Sequence, residues 1–236
     1  MTSLNGAVVL VTGANGGIGT HFVREALARG AAKVHATART PRQWDDDRIV
    51  PLTLDVTDPS SIRAALAAAG DVTVLINNAG ASISTPGILA HTDEEIRRNV
   101  ETNFLGPLFL ARAFAPVLSA KDNAAIIDIH SALAWWAVAG IYSATKAALW
   151  SATNSLRLEL APAGVQVLGV HVGYVDTAMA AHATDPKVDP ADLVATVFDA
   201  LEGGEHEVLA DQTSVQLKAA LSAPLESVYP QLAVKN

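Results

Sequence analysis

The sequence predicts an α/β protein: a doubly wound parallel β-sheet of about seven strands with helices on both faces. Two observations carry this. Short apolar runs alternate along the chain with segments of helical periodicity. Several of the runs ("AVVLV", "VTVLI", "VQVLGVHV") are apolar at nearly every position, as strands are when both faces are covered. Right-handed crossovers then place a helix between successive parallel strands.

The elements follow in order. Strands are predicted at 7–12, 33–38, 49–54, 72–77, 124–130, 165–172 and 207–210, and helices at 18–29, 59–69, 93–118, 141–160 and 190–202. Helix ends have local causes. Thr92 with Glu95 three residues on forms a capping box. Asp58-Pro59 and Asp189-Pro190 each offer a cap followed by a first-turn proline. Gly30, Gly70 and Gly164 fall where helices should stop. No repeat or linker interrupts the 236 residues, so one domain over 1–236 is expected. Two stretches are looser, 40–47 and 178–189. The second follows a strand's C-terminal end, where open α/β sheets bind ligands, and is expected to act as a lid.

Composition narrows the function. A formal charge of −8 argues against nucleic acid or an anionic membrane as main partner. The absence of cysteine removes disulfides, thiolate nucleophiles and cysteine metal sites. The seven histidines are scattered and none forms an HExxH pair, so no metal is expected. No signal peptide and no run of about 18 uncharged apolar residues is visible, so a cytoplasmic protein is expected.

"VTGANGGIGT" follows the first strand and opens the first helix. Gly13, Gly17 and Gly19 allow a tight turn and let backbone N–H groups approach a pyrophosphate; the helix N-terminus faces its charge. Gly13, Asn15, Gly16, Gly17, Ile18 and Gly19 are therefore candidate dinucleotide-binding residues in a Rossmann-like sheet, against the alternative of a glycine-rich turn without a ligand. The second strand ends in Ala38 and Arg39 with no acidic residue to receive ribose hydroxyls. Arg39 suits a 2′-phosphate, so NADP(H) is preferred over NAD(H). Otherwise Arg39 is a solvated loop charge.

These residues, together with "DV" (55–56), "NNAG" (77–80), Asn103, Ser131 and "YSATK" (142–146), resemble the short-chain dehydrogenase/reductase family from about Gly6 to Thr177. The resemblance implies that Asp55 hydrogen-bonds adenine, that Val56 supplies a backbone contact, and that Asn78, Ala79 and Gly80 shape the cofactor floor. It implies a catalytic set of Asn103, Ser131, Tyr142 and Lys146. Four residues apart on a helix, Tyr142 and Lys146 share a face. The ammonium and an oxidised nicotinamide should lower the tyrosine's ordinary pKa of about 10. Tyr142 is then the general acid for carbonyl reduction and the base for alcohol oxidation. Lys146 should also hold the nicotinamide ribose, and Ser131 should steady the developing alkoxide. Pro107 has no N–H for the Asn103 carbonyl, so a kink should free that acceptor for the water the family holds there; a plain packing kink is the alternative.

Two departures stand out. The loop between Ser131 and Tyr142 is short, and His130 precedes Ser131; His130 is expected to face the sheet interior or a neighbouring loop. "HVGYVDTAM" resembles the family's PGxxxT with Val172 for the proline. Gly173, Val175 and Thr177 stay in register for the nicotinamide carboxamide, in a turn expected to be looser. The substrate pocket is expected from Trp135, Trp136, Tyr174, the segment after Asn78, and the lid with Met179. These imply an apolar ketone, aldehyde or alcohol; the alternative makes one tryptophan a core or interface anchor. Helices 93–118 and 141–160, with Phe104, Leu108, Phe109, Leu149, Trp150 and Leu156, imply a homodimer or homotetramer, since such helices pair in the family. Rival readings are an NAD-dependent alcohol dehydrogenase, a cofactor-sensing regulatory protein, and an epimerase or dehydratase, for which the chain after Thr177 is short.

Overall fold

The structure is a computed structural model describing residues 2–82 and 87–233. Its strands are β1 (Val8–Thr12), β2 (Lys33–Ala38), β3 (Ile49–Thr53), β4 (Val74–Asn77), β5 (Ala125–Ile129), β6 (Gln166–His171) and β7 (Glu207–Leu209). They form one sheet in the order β3-β2-β1-β4-β5-β6-β7, with every neighbouring pair parallel. β3 is an edge strand, and its central Pro51, which has no N–H to donate, is tolerated there.

The helices are α1 (Gly17–Ala28), α2 (Pro59–Ala68), α3 (Asp93–Val100), α4 (Gly106–Ser119), α5 (Ile141–Leu160), α6 (Pro190–Glu202), α7 (Gln212–Ala219) and α8 (Leu225–Val228). Alternation along each strand divides the core. Val9, Val11, Val34, Ile127 and Val170 face α1 and α6, where Phe22 and Phe198 meet edge to face with centroids 5.4 Å apart. Leu10, Leu75, Ile126 and Val167 face the other layer with Leu110, Phe114 and Leu160. The caps are made as expected. Thr92 and Glu95 complete their capping box, and Asp58 and Asp189 accept from the first-turn N–H groups of α2 and α6.

Three expectations are corrected. The helix predicted over 93–118 is broken: a turn of π-helix, Glu101–Leu105, separates α3 from α4. There the Gly106 N–H reaches back to Glu101 O, and Pro107 has no N–H to offer Asn103. A Cβ on Gly106 would stand 3.0 Å from both Val56 Cγ2 and Val56 O, so the bulge can press against that residue only as glycine. Leu149 is core rather than part of an exposed face, with 2% exposure. Beyond β7 the chain forms α7, capped by Asp211, and α8, neither of which the periodicity signalled.

Candidate active site

The site lies at the C-terminal ends of β1, β4, β5 and β6. After β1, Gly13 and Gly17 have φ of +67° and +45°, values that glycine adopts without strain. A Cβ on Gly13 would stand 3.1 Å from Ala79 Cα, and one on Gly19 would collide with the Gly13 carbonyl. Asn78 donates through Nδ2 to Thr12 O at 2.8 Å, while the Thr12 hydroxyl accepts from the N–H groups of Asn78 and Ala79, both at 2.9 Å. The glycine turn and the segment 78–80 are thus one unit. Asn15 Nδ2 ties the turn to Thr40 O at 2.7 Å. α1 has Gly16 at its N-cap position, with no side-chain cap and no acidic residue in its first turn, and a Cβ on Gly16 would meet nothing within 4 Å. Ile18 packs against the core at the first turn. This open, uncapped N-terminus fits a dinucleotide pyrophosphate.

Ala38 is half-buried at the end of β2, and Arg39 is exposed, with no ion pair to a described residue. A second guanidinium escaped the sequence reading. Arg42 stacks over Trp44 at 3.9 Å and its Nη2 reaches Thr20 Oγ1 on α1 at 3.5 Å. The signal was present as "ARTPR", two arginines three apart with no acid between them. Asp55 Oδ1 accepts from the N–H and hydroxyl of Thr57 at 2.9 and 2.7 Å, while Val56 is buried against Gly106.

The side chain of Asn103 pairs with the backbone of Ala81 in both directions at 2.8 Å, and Nδ2 also lies 3.1 Å from Asn99 Oδ1 and 3.4 Å from Thr145 Oγ1. It therefore locks the π turn to the loop after β4 and to α5. A Cβ on Gly80 would lie 3.5 Å from Asn103 Oδ1 and 3.9 Å from Lys146 Nζ, so these groups converge.

Ser131 follows β5, buried, its Oγ accepting from Leu133 N–H at 3.1 Å. Tyr142 and Lys146 stand in the first turns of α5, whose N-cap is Gly140. There φ is +55° and a Cβ would meet Ile88 N at 3.1 Å. Lys146 donates from Nζ to Ile129 O at 2.7 Å and lies 5.8 Å from the Tyr142 ring centroid. Burial pushes the Lys146 ammonium down to about 8, against the pull of Asp128. Tyr142 was expected to be lowered by the ammonium. Here burial instead pushes it up, opposed by a hydrogen bond with Ser131 and reinforced by Tyr174. The ammonium is spent on the Ile129 carbonyl.

The loop from 132 to 140 is built of two short turns of 3-10 helix, Ala132–Ala134 and Ala137–Ala139. Ser143 fastens it to α5, donating to Trp136 O at 2.9 Å and accepting from Ala139 N–H at 3.2 Å. The two tryptophans part company. Trp135 turns inward with 7% exposure. It stacks on His171 at 3.8 Å and 17° and meets Trp150 edge-on at 5.7 Å. It anchors the loop instead of walling the cleft, because a flat ring lies on the flat imidazole beneath. Trp136 remains half-buried on the loop. Tyr229, beyond α8, accepts from Ala137 N–H through its hydroxyl at 3.0 Å and so straps the loop from outside. Residues 83–86, part of the expected pocket segment after Asn78, lie outside the described residues.

After β6, Val172 is buried, and the turn is not loose. Gly173 N–H donates to Asp211 at 2.6 Å. Val175 bridges Val188, with Val188 N–H to Tyr174 O at 2.8 Å and Asp176 N–H to Val188 O at 3.0 Å. These pairs close the base of the lid. Thr177 donates to Val175 O at 3.3 Å, and a Cβ on Gly17 would touch Thr177 Cγ2 at 3.1 Å, so this turn roofs the glycine turn. Tyr174 and Met179, on the segment after β6, are exposed by 36% and 47%. No group of metal-ligating side chains occurs among the described residues, and no helix there is long and apolar enough to cross a membrane.

Comparison with known proteins places this geometry. The family model for short chain dehydrogenases matches residues 7–187. A short-chain dehydrogenase of Penicillium crustosum is 40% identical over 183 residues, covering 72% of this chain and 66% of that protein, just under two thirds of its length. Among solved structures, a short chain dehydrogenase of Burkholderia cenocepacia J2315 in complex with NADP has a TM-score of 0.90 at 36% identity, covering 98% of this chain and all of that one. An NADPH-bound carbonyl reductase from chicken fatty liver has a TM-score of 0.79 at 30% identity, covering 89% of this chain and 93% of that one. The chain belongs to the short-chain dehydrogenase family and is an oxidoreductase.

Proposed function

We propose that the protein is an NADPH-dependent reductase of apolar ketones or aldehydes, reversible as alcohol oxidation. One observation carries the reading: Ser131, Tyr142 and Lys146 gather at one strand end, on the same edge of the sheet as the glycine turn and its Thr177 roof. When bound, the nicotinamide supplies the hydride. The glycine turn and the α1 N-terminus hold the pyrophosphate. Asp55 and Val56 receive the adenine, and Asn78, Ala79 and Gly80 form the floor. Val175 and Thr177 hold the carboxamide, and Lys146 the ribose hydroxyls. Arg39 and Arg42 select the 2′-phosphate through charge-assisted hydrogen bonds.

Ser131 Oγ donates to the substrate oxygen, and Tyr142 gives that oxygen its proton. Burial keeps Tyr142 protonated, the form a reductase needs. Asn103 holds the floor loop and, with Pro107, leaves a carbonyl free to hold a water that passes protons to and from Lys146. Trp136, Tyr174 and Met179 face the substrate; with Trp135 turned inward, the cleft suits a bulky apolar body. Two copies pair through α4 and α5, where Leu158 is 78% exposed.

The test is oxidation of NADPH and of NADH against a panel of ketones and aldehydes. NADPH turnover is expected, with Tyr142→Phe losing at least about 100-fold in kcat while still binding NADPH. A fully active Tyr142→Phe would refute the acid assignment. Tight cofactor binding without any turnover would favour a sensor.

A further inference from the structure

Beneath α5 the sheet carries a row of buried polar side chains that the proposed chemistry leaves unused. Asp128 and His130 of the β5 tip are 0% and 2% exposed, and His171 of β6 is 0%. Gly169 makes the room: a Cβ there would stand 2.7 Å from His130 Cε1. The links are continuous. Asp128 Oδ2 to Thr153 Oγ1 is 2.7 Å, Thr153 Oγ1 to His130 Nε2 is 2.9 Å, His130 Nδ1 to His171 Nε2 is 3.0 Å, and His171 Nδ1 to Ser131 O is 3.2 Å. Asn77 Nδ2 donates to the other Asp128 oxygen at 2.8 Å.

Each link needs one proton, and the far end fixes the count. Ser131 O is a carbonyl and can only accept, so His171 Nδ1 carries a proton. If His171 is neutral, its Nε2 accepts and His130 Nδ1 donates. His130 Nε2 then accepts from Thr153. Thr153 Oγ1 also stands 2.8 Å from Leu149 O, a carbonyl inside helix α5; with the single hydroxyl proton given to His130, the contact with Asp128 requires the carboxyl to donate. Every other assignment that fills all four links makes His130 or His171 an imidazolium, a charge buried against the sheet.

We propose that Asp128 is a neutral carboxylic acid heading a donor chain through Thr153, His130 and His171 to the Ser131 carbonyl, which makes the two histidines positioning residues for Ser131. Burial drives all three groups the same way: it raises Asp128, lowers His130 well below its ordinary value, and lowers His171 to about 4. Of the charges facing the chain, Lys146 and Arg157 from α5 and Lys218 from α7 oppose an imidazolium. Glu207 from β7 is 3.7 Å from His171 Nε2 and favours one, but it is paired to Lys218. Lys146 and Arg157 also favour an ionised Asp128, and burial outweighs them. The same strand tip grips Lys146 through Ile129 O, so the chain holds Ser131 and the lysine's anchor together. The proton placement stands by itself; the positioning role rests on the reading of Ser131 above.

Two-bond ¹⁵N–¹H correlation of the histidine rings in the whole protein tests the placement. At pH 7 both His130 and His171 are expected as neutral Nδ1–H tautomers. Either ring as Nε2–H, or His171 as imidazolium, overturns it. For the role, Thr153→Val is expected to lose about tenfold in kcat, the equivalent of one buried hydrogen bond, with NADPH affinity unchanged and Thr153→Ser restoring the rate. An unchanged kcat in Thr153→Val overturns the positioning role. If the wild type reduces no carbonyl, the proposed function fails while the tautomer result still decides the placement.

Discussion

Lys146 makes stability depend on pH with a sign opposite to that of an ordinary salt-bridged lysine. In the folded protein it titrates at about 8, against 10.5 when exposed. Between those values the unfolded chain holds the proton and the folded chain does not. Protons bound in the unfolded state then exceed those in the folded state, so stability rises with pH through this window. Below pH 8 the ammonium stays on in both states and its burial cost is complete. The shift corresponds to a gain of about 3 kcal/mol across the window. Tyr142, raised by burial from 10.0, works the other way at higher pH, so the measurement belongs below pH 10. Urea unfolding of the cofactor-free protein at constant ionic strength, from pH 7 to 10, reads the slope. Lys146→Met provides the control, since it removes the titration and keeps the length of the side chain. The wild type should gain stability relative to Lys146→Met as pH rises. Parallel curves for the two proteins would refute the assignment of a depressed, buried lysine.

Three further outcomes are expected. Gly19→Ala drives a Cβ into the Gly13 carbonyl and to 2.9 Å from Asn78 Nδ2; a loss of about 1–3 kcal/mol in urea unfolding is expected, with weaker NADPH binding by calorimetry. Arg39→Ala with Arg42→Ala should raise KM for NADPH by about 10–100-fold, as for a lost charge-assisted hydrogen bond, and leave KM for NADH unchanged. His171 is lowered from 6.5 to about 4, so the unfolded chain takes its proton first as pH falls. About 3 kcal/mol should be lost between pH 6.5 and 4, a loss absent from His171→Asn in the same unfolding series.

Much of this molecule is legible in its residues. The unbroken apolar runs announced a sheet covered on both faces, and the strands they form, β1, β4 and β6, each have a neighbour on both sides. Asp58, Thr92 and Asp189 announced the starts of their helices because capping is a contact within four residues. What escaped depends on contacts between distant segments. The period of 93–118 is helical throughout; Pro107 announced a kink, but its form, a π turn with Gly106 against Val56, depends on a distant contact. Trp135 and Trp136 are neighbours in an apolar run, and nothing local says which will find the His171 ring. His130 was placed toward the interior or a loop; that it meets His171 follows from the register of β5 on β6. Arg42 lies beyond the strand end, and only the folding of its loop back onto α1 brings it toward the glycine turn.

The Tyr229 strap has a consequence for how the enzyme is made. Its hydroxyl holds the loop at Ala137, 92 residues earlier in the chain. At ordinary translation rates a ribosome needs roughly 5–20 s to cover that stretch. Throughout that interval the glycine turn, the floor and the serine already exist while the loop beside the cleft lacks its outer fastening. Completion of the loop is therefore ordered in time: it is made with the middle of the chain and fastened from outside only once Tyr229 has followed.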